Sequence, residues 1–381
     1  MDRTRWGLVA LIFIAALLAA AQFGKIALTL PVLAAAFGRS VPEVSVLVSL
    51  VGIMGLLLGV MAGGIAAAFG PGRTFLAGLL IGGALSLVQS LLPPFGLFAV
   101  TRGVEGLAHL ALVVAGPPLM AAAATDRTRP LIMGLWALFF GASLAVSSKL
   151  FPVILAAGGL PLLFALHGGA MLALAAALWR AVPRVPRKVL SLNPVAVHRE
   201  TYGRLRLMAP GLGFVCYTFS FIAAIAVLPP ALDRPGLALS LPLMTLMTTL
   251  AGGALCRRFA AHRVAAVGYL GTTLGLVAEA FGLRLGIETA FAFMGLIPGA
   301  SFAAIPALNT SPGDRARATG AIAQLGNLGT VTGTPVLAAL WVVAGAEAVI
   351  WALAGVGLLG GALAFWSGAR AVRTPEPVSA R

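Results

Sequence analysis

The sequence predicts an all-α polytopic membrane protein with twelve transmembrane helices in two six-helix bundles, and three observations carry that prediction. The first is composition. Of 381 residues, 60% are hydrophobic and only 10% charged, with a mean hydropathy of +1.02, whereas a soluble chain carries about a quarter charged residues. The second is a series of apolar runs of roughly 20 residues, the length of helix that crosses a bilayer. The third is one long hydrophilic stretch, RAVPRVPRKVLSLNPVAVHRETYGRLR, near the middle of the chain.

In order, the first span is placed at 6–36. Its start, MDRTR followed by WGLVALIFIAALLAAAQ, has the look of a signal peptide, but the apolar run continues through FGKIALTLPVLAAAF. That is too long for a signal peptide and long enough to span, so it reads as an uncleaved helix. Gly, Pro and charge then divide the first half into spans at 44–68, 74–92, 96–124, 131–156 and 160–180. The polar segment 181–206 separates this half, residues 1–180, from a second at 207–368. There the spans fall at 207–231, 237–256, 264–284, 288–310, 318–343 and 346–368, followed by a polar tail, 369–381.

A net charge of +15 raises the possibility of nucleic acid, but the distribution of the charges excludes it. With loops assigned to alternate sides, all but six of the 26 Lys and Arg fall on the side that holds both termini and the central segment. The exceptions are Arg39, Arg234 and Arg284 on the other side, and Lys25, Arg102 and Lys149 inside spans. Positive loops face the cytoplasm, so both termini are expected there, in a bacterial cytoplasmic membrane. Cys216 and Cys256 lie in or beside spans without metal or redox spacing and read as packing residues. There is no GxxxxGK[ST], metal-ligand cluster or nucleophile–base arrangement. A membrane enzyme, a metal site and a cofactor are therefore not expected.

The two halves resemble each other, as transporter repeats do. A shift of 190 sets Gly63 on Gly253, Phe69 on Phe259 and Arg73 on Arg263. A shift of 188 sets Pro118 on Pro306, Asp126 on Asp314, Arg127 on Arg315 and Arg129 on Arg317. QFGKIALTLP in the first span also matches SFIAAIAVLP in the seventh.

With this layout the chain resembles the major facilitator superfamily over essentially its whole length. Between spans two and three Gly63, Gly70 and Arg73 match the family signature, although Ala67 stands where the family has Asp. In span four Arg102, Glu105, Gly106 and Ala108 match a second motif. The Gly-Pro pair of drug/proton antiporters is missing from span five, GLWALFFGASLAVSSKL. The resemblance implies that spans 1, 4, 7 and 10 line a central cavity, that 2, 5, 8 and 11 flank it, and that 3, 6, 9 and 12 face lipid.

Charge inside a bilayer costs several kcal/mol and normally marks a pathway or a pair. Arg102, Glu105 and His109 recur at helical spacing on one face of span four. At about 1.5 Å per residue, Lys25 lies roughly 28 Å into span one, flanked by Gln22 and Thr29. Lys25 and Arg102 are thus the candidates for holding a substrate's charge, with Gln22 beside them. Lys149 either faces the cavity or snorkels to the outer interface. Glu105 is either a proton carrier or a permanent partner of Arg102, and His109 is either a second proton carrier or a hydrogen-bonded helix residue. Trp136, Phe140, Ser143 and Ser147 form one face of span five, Tyr217 and Ser220 lie in span seven, and Gln324, Asn327 and Thr334 form a stripe on span eleven. Such stripes serve either substrate contact or helix packing. His167 reads as structural, and Glu279, Arg284 and Glu288 as an external rim. Glycines at 55, 59 and 63, at 78 and 82, and at 271 and 275 let helices approach closely, while Pro31 and Pro229 allow bends.

Three cations against one carboxylate favour an anion. The expected function is that of a secondary active transporter of a small anion, proton-coupled, embedded in the lipid bilayer and working as a monomer. The competing reading is an efflux pump for amphipathic drugs or metabolites.

Overall fold

The computed structural model describes residues 3–183 and 193–374, and their regular secondary structure is helical throughout. Arg184, Arg187, Lys188 and Arg381, four of the cations used to orient the chain, lie outside the described residues. The first half contains α1 (Trp6–Ala27), α2 (Leu30–Phe37), α3 (Val41–Phe69), α4 (Pro71–Ser90), α5 (Phe95–Ala123), α6 (Arg129–Ala137) and α7 (Phe139–Leu178). The central segment holds α8 (Pro194–Tyr202). The second half contains α9 (Leu205–Leu212), α10 (Phe214–Ala231), α11 (Leu237–Leu255), α12 (Ala261–Ala280), α13 (Gly286–Met294), α14 (Leu296–Leu308) and α15 (Pro312–Arg373).

Local chemistry fixes the boundaries. Ser40 and Glu43 form a capping box that opens α3. Gly70, at φ 95°, turns the chain from α3 into α4, a conformation that disfavours any side chain. The two longest helices break at glycine, α7 at Gly158 and Gly159 and α15 at Gly345. These breaks fall where the sequence separates spans five from six and eleven from twelve. Among the described residues, nine helical stretches are long and apolar enough to cross a membrane.

Three sequence expectations need correction. The first span is interrupted at Leu28 and Thr29, immediately before Pro31 sits in the first turn of α2. Pro229, its counterpart, lies inside an unbroken α10, and the seventh span is divided instead at Gly213, between α9 and α10. The central segment, expected as a loop, contains α8, whose first N–H groups are capped by the Asn193 side chain. The external rim pairs Arg234 with Glu279 and Glu288, at 2.6 and 3.0 Å; Arg284 makes no ion pair among the described residues.

The repeat expected from sequence reappears as geometry. Asp126 pairs with Arg129 at 2.8 Å, and Asp314 with Arg317 at 3.5 Å, each three residues apart at equivalent places in the two halves.

The halves meet along an antiparallel seam of α3 against α15. A Cβ added at Gly52 would stand 2.9 Å from Val331, one at Gly55 would overlap Asn327, and one at Gly59 would stand 2.9 Å from Gln324. Gly320 of α15 packs reciprocally on Val60. Only glycine permits this approach. A second contact brings Gly141 of α7 against Leu246 and Pro242 of α11.

Candidate functional site

Lys25, Arg102 and Glu105 are each fully buried, at 0% exposure, and form one cluster in the interior of the first half. Burial of three charges demands partners for their donors and acceptors, and α1, α3, α4, α5 and the second part of α7 supply them. Lys25 Nζ lies 2.7 Å from Glu105 Oε1. The same ammonium donates to Ser86 Oγ at 3.0 Å and Gln89 Oε1 at 2.8 Å. It also sits 5.0 Å from the centre of the Phe164 ring. Arg102 pairs with Glu105 Oε2 through Nη1. Its Nη2 donates to the Gln22 carbonyl at 2.7 Å and its Nε to that of Leu47 at 3.1 Å. Gln89 Nε2 donates to Glu105 Oε2 at 2.8 Å. His167 closes the group, its Nδ1 lying 3.1 Å from Ser86 Oγ and its Nε2 3.0 Å from the Leu18 carbonyl.

This arrangement revises the reading of Lys25. Nothing in its own helix can neutralise it, but Glu105, eighty residues on, does. The Arg102–Glu105 pair is present as the one-turn spacing expects. Sequence reasoning missed Ser86 and Gln89, because span three is expected to face lipid, and it read His167 as structural without a partner. The signal available was one polar residue per turn on span three, Ser86 and Gln89. Gln22 lies in the same interior with its amide oxygen unbonded. Two cations against one carboxylate leave the cluster with one excess positive charge.

The remaining candidates divide between two places. His109 is half-buried on α5, its Nδ1 2.9 Å from the Ala19 carbonyl and its ring edge-on to Phe23. Phe23 touches Phe140, Phe140 approaches Phe221 of the second half at 6.4 Å, and Phe221 stacks on Tyr217 at 5.4 Å. An aromatic path thus runs between the halves from α1 to α10. Trp136 packs onto Gly116 of α5, and Ser143 donates to the Leu17 carbonyl at 2.6 Å, so both fasten helices together. Lys149 is exposed on the outside of α7.

Gln324 and Asn327 lie in the α3–α15 seam. Gln324 Nε2 donates to the Leu56 carbonyl at 2.6 Å, and its Oε1 accepts from Tyr202 of α8 at 2.7 Å. Burial pushes the Tyr202 phenol up to about 12, so it remains a donor. Asn327 donates to its own helix, at the Ala323 carbonyl, while its side chain fills the space left by Gly55. One side-chain amide thereby ties α3, α8 and α15 together at the end of the molecule that carries the central segment.

The family model described as Major Facilitator Superfamily matches residues 12–308, most of the chain. The chain belongs to the major facilitator superfamily. Its fold is that of solved superfamily transporters. A bacterial homolog of the human lysosomal transporter Spinster, inward-facing and unoccupied, aligns with a TM-score of 0.73 at 14% identity, covering 99% of this chain and 100% of that one. The human organic anion transporter MFSD10 (TETRAN) aligns with a TM-score of 0.67 at 19% identity, covering 94% and 98%. No curated protein matches. Superfamily membership makes the chain a secondary transporter rather than an enzyme, and makes the aromatic path, the seam and the charge cluster its candidate working parts.

Proposed function

We propose that this superfamily member moves a small organic anion across a bacterial cytoplasmic membrane by alternating access, coupled to protons, as a twelve-span monomer with both termini in the cytoplasm. The observation that carries the reading is the excess positive charge of the Lys25–Glu105–Arg102 cluster, buried immediately behind α1. At an effective dielectric of about 20, one uncompensated charge attracts a monoanion roughly 10 Å away by about 1.7 kcal/mol, more than tenfold in occupancy. A cation would be repelled by as much. The similarity of fold to a structure named as an organic anion transporter is in keeping with this reading. Glu105, held by two cations and an amide, serves as their counter-charge. His109, beside the aromatic path with one ring nitrogen committed to a carbonyl, is then the proton carrier.

Lys25→Ala tests the charge argument. Anion uptake into proteoliposomes is expected to fall at least tenfold while expression and monodispersity stay near wild type; unchanged uptake would remove Lys25 from the site. His109→Gln is expected to abolish the stimulation of uptake by a pH gradient and to spare exchange without a gradient. The second reading, efflux of amphipathic compounds, draws on the aromatic path from Phe23 to Tyr217. Drug resistance on overexpression that is lost in Phe140→Ala would favour it.

A further inference from the structure

A cavity of about 130 Å³ lies in the second half, away from both the charge cluster and the seam. It is bounded by the α9–α10 junction, the start of α12 and the ends of α14 and α15. Its walls are shaped by small residues, among them Ala209, Gly213, Ala304 and Gly368. Val372, at 59% exposure, and the exposed Ala260 and Ala307 stand at its rim, so it opens on the outer surface of the helices. The volume corresponds to about four water- or methylene-sized groups.

Two polar groups inside have no hydrogen-bond partner among the described residues. Ser301 is 7% exposed, and the hydroxyls of other buried residues such as Thr245 and Thr272 bond to carbonyls while that of Ser301 does not. The His262 ring touches the edge of Phe365, 5.6 Å between centroids, and bonds to nothing. Five exposed arginines adjoin the lining segments along the chain, Arg257 and Arg258 in the turn between α11 and α12, Arg263 in the first turn of α12, and Arg370 and Arg373 at the end of α15. None has an acidic partner among the described residues.

An apolar fissure open on the outer surface of the helices, with unused hydrogen-bonding groups inside and uncompensated cations on the chain segments beside it, is complementary to one kind of molecule. We propose that it seats the ester-linked end of one acyl chain of an anionic phospholipid, the rest of the chain running along the outer surface of the helices. The arginines hold the phosphate, and the Ser301 hydroxyl and His262 ring bond the ester oxygens. The site is separate from the transport path and does not depend on which solute is carried.

Native mass spectrometry of the full chain from equimolar phosphatidylglycerol and phosphatidylcholine tests this. Wild type is expected to retain phosphatidylglycerol at least tenfold over phosphatidylcholine. Ala304→Phe, which fills the fissure, is expected to lower retention of phosphatidylglycerol at least fivefold. Arg258→Gln with Arg263→Gln is expected to remove most of the preference between lipids while thermal unfolding stays unchanged. Because Ala304→Phe can disturb packing, Ser301→Ala provides a mild second probe, with an expected two- to threefold loss. Equal retention of the two lipids, or retention unchanged by both Ala304→Phe and Ser301→Ala, would overturn the proposal.

Discussion

Glu105 is the residue on which the interior of the first half depends. It faces two cations across its two oxygens, and neither cation has another acid within reach among the described residues. Removing one partner of a buried pair costs about 3–5 kcal/mol when a charge is left uncompensated, and Glu105→Gln would leave two. Lys25→Met, by contrast, leaves Arg102 and Glu105 as a neutral pair and replaces an ammonium by a chain of similar length. Thermal unfolding in detergent is therefore expected to be lowered markedly by Glu105→Gln and little by Lys25→Met. If Lys25→Met proves the more damaging, the ammonium is a structural pin and not an excess charge. Half of this cluster was legible in sequence. Arg102 and Glu105 declare themselves one turn apart, whereas the link to Lys25 needs the packing of α1 on α5, which no local spacing encodes. Gln89, and the partners of His167, were hidden for a related reason: polar groups on helices expected to face lipid turn inward to serve charges on other helices.

At the scale of the helix, the glycines of α3 make the seam. Their spacing was readable, but the partner was not, because the amides of α15 look the same in sequence whether they meet a substrate or a neighbouring backbone. Gln324 turns out to bond the Leu56 carbonyl and Tyr202, and α8, read as loop, brings in that tyrosine. The proximity of Val60 to Gly320 makes a cysteine pair there a reporter of closure in a background lacking Cys216 and Cys256. Cross-linking is expected to fall roughly tenfold in Gly55→Val, whose side chain would displace Asn327. Tyr202→Phe removes one hydrogen bond, about 1 kcal/mol, and should lower the closed fraction about fivefold relative to the open one. Equal cross-linking in all three proteins would mean that the seam does not separate. The helix boundaries were the more legible part, since Gly158, Gly159 and Gly345 break α7 and α15 where the apolar runs pause.

For the whole molecule, two halves that repeat an Asp–Arg pair at equivalent places meet along one glycine seam and one smaller contact. That is the economy expected of bundles that rock about a central path. On the proposed reading the substrate's sign is set by a charge imbalance of one, held behind the wall of that path and not on it, so that the aromatic residues and the cations appear in sequence as rival sites. Counterflow in proteoliposomes with a panel of small anions, cations and neutral solutes tests this account most directly. One or more monovalent organic anions are expected to exchange at rates well above protein-free vesicles, with cations and neutral solutes at background; exchange of cationic amphiphiles alone would contradict it.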